Sequence, residues 1–134
     1  MKNYILGALC LLFVLVGCEK KRQGPPKLLV FSKTMAFKHA SIPSGIAALE
    51  KLGQENDFVI DTTTNGELFT DENLAQYSAV VFLSTTGNVL NAREEAAFER
   101  YIQAGGGYVG IHAAADTEYD WGWYNKLVGA QFLS

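Results

Sequence analysis

The sequence predicts an α/β domain: one parallel sheet with helices on both faces, in three layers. Four short segments read as strands: Lys27–Ser32, Phe58–Thr62, Ala79–Leu83 and Tyr108–Ile111. The first and third are almost wholly apolar, as expected of strands covered on both sides. Between them lie segments with helical apolar spacing and recognisable start and stop residues. Strands that alternate with helices read as parallel units joined by right-handed crossovers.

Each element has its own signal. After the first strand, a loop from Lys33 to Ala40 carries Phe37-Lys38-His39. Ser41 is a candidate helix cap, and Pro43 is tolerated in a first turn. Ile42, Ile46 and Leu49 share a helical face with Leu52 near it, and Gly53 suits a C-terminal stop. Asn65-Gly66 marks a turn after the second strand. Thr70–Tyr77 reads as a short helix capped by Thr70, with acids in its first turn. Ser84-Thr85-Thr86-Gly87 forms the loop after the third strand. Asn91 and Glu94 have the spacing of a capping box, and Phe98, Tyr101 and Ile102 give that helix its buried face. Gly105 ends it.

A flavodoxin-like strand order, 2-1-3-4, would place strands one, three and four side by side. The loops after those strands would then share one sheet edge, where ligands of open α/β sheets bind. These loops carry His39, Ser84 to Gly87, and His112.

The stretch Gly105 to Asp116 (G-G-G-Y-V-G-I-H-A-A-A-D) organises this edge. His112 ends a strand, with Gly110 two residues before it and Ala114 two after. Small residues there permit a sharp turn that holds the intervening side chain up at the sheet edge. That is the geometry of a nucleophile elbow, with an imidazole in place of serine or cysteine. Gly105, Gly107 and Gly110 also match G-x-G-x-x-G. A dinucleotide fingerprint must follow a strand and open a helix, and these glycines do the reverse.

Composition excludes several classes. A formal charge of −3 over 134 residues, with no basic patch, gives no footing for nucleic acid. The two cysteines, Cys10 and Cys18, precede the domain, so cysteine nucleophiles and cysteine–metal sites are excluded within it. Residues 1–17 read as a signal peptide: Lys2, then an uncharged apolar run from Tyr4, too short for a comfortable membrane span. The run closes on Leu15-Val16-Gly17-Cys18, which resembles a bacterial lipobox. Cleavage before Cys18 and its lipidation would anchor the chain to a membrane of the cell envelope. Residues 18–26, polar and proline-ended, are expected to be a tether, and 27–134 the domain.

Four motifs together resemble one family: F-K-H-A-S-I-P-S-G-I (37–46), L-F-T-D-E-N-L (68–74), V-V-F-L-S-T-T-G (80–87) and G-G-G-Y-V-G-I-H-A-A-A-D-T-E-Y-D-W (105–121). The chain is similar to ThuA-like, or trehalose-utilisation, domains over essentially 27–134. The resemblance implies a class I glutamine amidotransferase-like fold and a carbohydrate-related role. It does not imply amidotransferase chemistry, since His112 stands where that superfamily has its cysteine. Domains of this family run well past the segment matching Gln131 to Ser134. The resemblance therefore implies an incomplete sheet here, and low stability for the chain alone.

The candidate catalytic residues are His112, His39 and Asp116. Two imidazoles and a carboxylate suit an acid–base pair, or ligation of a divalent metal such as zinc. Ser84, Thr85, Thr86 and Gly87 are candidate ligand contacts. Trp121 and Trp123, with Tyr119 and Tyr124, are either a wall for a sugar ring or a lid packed onto the domain. Two functions are expected from this set. One is an enzyme acting on a glycoside or keto-sugar; the other is a membrane-anchored sugar-binding or scaffold module without chemistry.

Overall fold

The computed structural model describes residues 24–132. The expected signal peptide, the expected lipidation site at Cys18 and most of the tether lie outside them. The chain runs β1 (Lys27–Phe31), α1 (Ile42–Glu55), β2 (Val59–Thr63), α2 (Asp71–Leu74), β3 (Ala79–Leu83), α3 (Ala92–Gln103), β4 (Gly107–Ile111) and α4 (Gly122–Val128). Short 3₁₀ turns cover Gly66–Leu68 and His112–Asp116. The sheet is four-stranded and parallel in the order β2-β1-β3-β4, as expected. Tether residue Pro26 already belongs to the fold, because its carbonyl accepts the Val59 amide at 2.8 Å.

Alternating side chains on each strand separate two unequal cores. On one face Leu29, Phe31, Val80 and Phe82 meet Ala97, Phe98 and Tyr101 of α3 and Tyr124 of α4. This side is rich in rings: Phe82 stacks on Phe98 at 5.3 Å and on Tyr124 at 5.6 Å. On the other face Val30, Val81 and Leu83 are buried beneath Ile46 and Leu49 of α1. That cover reaches Ile111 at the end of β4 but not the middle of the strand. Val109, in register with Val81, is 46% exposed.

The helix starts follow their signals with one exception. Thr70 Oγ1 accepts the Asn73 amide, and Asn91 with Glu94 closes a full capping box. Ser41 precedes α1 without a side-chain cap bond. Gly105 turns the chain out of α3 at φ +93°. The strands β1, β2 and β4 shift by one residue at their ends, and two helix boundaries differ further from expectation. The helical part of 70–77 is only Asp71–Leu74, the rest being turn. And α1 passes through Gly53 to Glu55. Gly53 serves a close approach instead: its carbonyl accepts the Phe58 amide, and a Cβ there would stand 2.7 Å from the Phe58 oxygen.

Candidate active site

β4 delivers His112 to the carboxyl edge of the sheet and the backbone then reverses sharply. His112 has φ +53°, a left-handed conformation that costs a non-glycine residue roughly 1 kcal/mol or more. Small neighbours make the turn possible. A Cβ on Gly110 would lie 3.2 Å from the Ala114 Cβ and 2.7 Å from the Tyr108 hydroxyl. The elbow predicted from these two positions is present, followed by a 3₁₀ turn. From below, the buried Tyr124 hydroxyl donates to the Ala114 carbonyl at 2.9 Å and lies 2.7 Å from the Tyr108 hydroxyl. Burial pushes both phenols up, so they remain protonated donors.

The loop after β3 ties the other two loops together. Ser84 continues the sheet ladder by donating to Ile111, and it too has a positive φ, +51°. Thr85 and Thr117 share a hydroxyl hydrogen bond of 2.8 Å. The Thr86 carbonyl accepts the Met35 amide, and its hydroxyl donates to the Phe37 carbonyl, both at 2.8 Å. The Gly87 amide donates to Asp116, and its carbonyl accepts the Glu118 amide. Glu118 is itself buried, its carboxylate accepting the Val89 and Leu90 amides at 2.7 Å each.

These bonds bring the two histidines together. His39 and His112 meet edge to face with ring centroids 4.4 Å apart. Both line a cavity of about 340 Å³ along with Asp116 and Gln131. The Asp116 carboxylate accepts from the Tyr119 hydroxyl at 2.6 Å. That bond raises the phenol's pKa and fixes the carboxylate at the cavity wall. Among the described residues, no three His, Cys, Asp or Glu side chains are grouped to hold a metal ion.

The other expected ligand contacts lie elsewhere. Ser84, Thr85 and Thr86 are buried and belong to the tie just described, as does Gly87; none lines the cavity. Trp121 and Trp123 pack against the large core, Trp121 stacking on Tyr124 at 5.8 Å and both meeting Phe98. They cover α3 and do not line the cavity. Sequence reasoning missed Gln131, which has no motif around it. It also missed the place of Tyr119, whose signal was its spacing of three residues from Asp116.

Known proteins match this architecture. No curated protein matches the chain. A crystal structure of a ThuA-like protein from Bacteroides uniformis superposes with a TM-score of 0.66 at 31% identity, over 81% of this chain. The chain spans about 45% of that structure's length. The profile of the ThuA family, described as trehalose utilisation, matches residues 27–134. With the sheet order, the histidine elbow and this match in agreement, the chain belongs to the ThuA family.

Proposed function

We propose that the His39–His112 cavity is an acid–base site for a glycoside or keto-sugar, used in carbohydrate utilisation. One observation carries the reading: two imidazoles 4.4 Å apart, one held on a strained elbow, open into a cavity that also contains Asp116. One ring can accept a proton while its neighbour donates one, and Asp116 and Gln131 can hydrogen-bond sugar hydroxyls. The family's carbohydrate role supports the substrate class. Lipidation of Cys18 would hold the site at the cell envelope, and labelled acyl chain should enter the wild type but not Cys18→Ala.

The test is a panel of glycosides and keto-glycosides assayed for turnover and binding, with and without chelator. His112→Ala should lower turnover about 100-fold or more while the circular dichroism spectrum is retained. Turnover unaffected by His112→Ala would remove the acid–base reading. Binding without any turnover, equal in wild type and variant, would favour the non-catalytic binding module.

A further inference from the structure

Met35 and Phe37 are 63% and 67% exposed, although the loop carrying them is firmly held. Thr86 takes the Met35 amide and gives its hydroxyl proton to the Phe37 carbonyl. Single exposed apolar side chains are ordinary on a protein surface. These two differ in their setting. The Phe37 ring meets the His39 ring edge to face at 4.8 Å, and His39 in turn meets His112 at 4.4 Å. An apolar surface therefore begins one ring away from the proposed acid–base pair. The cavity wall contributes a further exposed ring, Phe132.

We infer that Phe37 forms a platform for the aglycone of a glycoside, and that the ligand is a sugar carrying an aromatic substituent instead of a free sugar. This rests on the sugar-site reading above. The chemistry identifies the occupant. A histidine acting on a glycosidic oxygen stands beside the group that oxygen carries, and Phe37 is the side chain packed on His39. An aromatic aglycone can stack on a ring that is already oriented, with little ordering cost to a loop pinned by Thr86.

The experiment is calorimetric titration of the full chain with phenyl β-glucoside and methyl β-glucoside, in wild type, Phe37→Ala and Phe37→Tyr. Phenyl β-glucoside should bind about tenfold more tightly than methyl β-glucoside. That preference should vanish in Phe37→Ala and persist in Phe37→Tyr, with methyl β-glucoside binding equally to all three. Equal binding of the two glucosides by the wild type, or a preference that survives Phe37→Ala, would overturn the platform and leave the sugar site standing. Failure of both glucosides to bind would overturn the platform, while the sugar site itself is decided by the wider panel of glycosides and keto-glycosides.

Discussion

A single methyl group at position 110 would collide with the turn that carries His112. The Cβ of an alanine there would press on the Ala114 Cβ and on the Tyr108 hydroxyl. Tyr108 cannot simply swing away, because its hydroxyl is bonded to Tyr124, which also holds the Ala114 carbonyl. Alanine would lower the entropy of the unfolded chain, a gain of about 0.4–1 kcal/mol. Overpacking costs about 1–3 kcal/mol and outweighs it. Gly110→Ala should therefore lower the urea midpoint by a stability loss of about 1–2 kcal/mol. An unchanged midpoint would mean that the tyrosine pair yields freely. The elbow was legible because glycine and alanine at positions −2 and +2 state the steric demand directly. The tyrosine pair was not, because its partners are 16 residues apart and only the fold joins them.

At the scale of elements, topology placed the right loops on the right edge but did not say where their side chains point. Thr85 and Thr86 lie at the ligand edge yet spend their hydroxyls on neighbouring loops. Polar residues there suit either use, and the sequence does not separate them. Trp121 and Trp123 read as an aromatic crowd in a loop; they belong to the start of α4, whose seven residues are too few to show a helical period. Two carboxylates in these connections respond to pH in opposite senses. Asp61 on β2 is salt-bridged to Lys27 of β1 at 2.6 Å and accepts from the Tyr77 hydroxyl at 2.8 Å. The Lys27 hydrogen bond holds its pKa below the usual value. Its contribution is present above the unfolded pKa, near 4, and is lost as pH falls through the folded value. Glu118 is raised, chiefly by burial. Its contribution is present below the unfolded pKa and is lost as pH rises through the folded value. Asp61→Asn should thus destabilise at pH 6 and match wild type at strongly acid pH. Glu118→Gln keeps a carbonyl for the Val89 and Leu90 amides, so its stability relative to wild type should rise from pH 3 to pH 7. Urea unfolding across that range checks both, and slope changes of the same sign would contradict the assignment.

For the whole molecule, strand–helix alternation was sufficient to give a parallel sheet, and the observed order β2-β1-β3-β4 is the flavodoxin-like one among those that alternation allows. The inequality of its two faces was not legible, since a valine in β4 reads like a valine in β3. Position decides between them: Val81 lies under α1, whereas Val109, beside it in register, does not. Among the described residues β4 pairs only with β3, so its far rim presents a row of unpaired amides and carbonyls. Such a rim, flanked by an exposed valine, is a template for an extended segment from another molecule. The chain should therefore self-associate with rising concentration, seen as an increasing sedimentation coefficient. Val109→Lys should suppress this while leaving the unfolding midpoint nearly unchanged, because the position is half open. A sedimentation coefficient independent of concentration would show the rim to be inert. An open rim of this kind would let association, before melting, set the limit on how concentrated a solution of the chain can be.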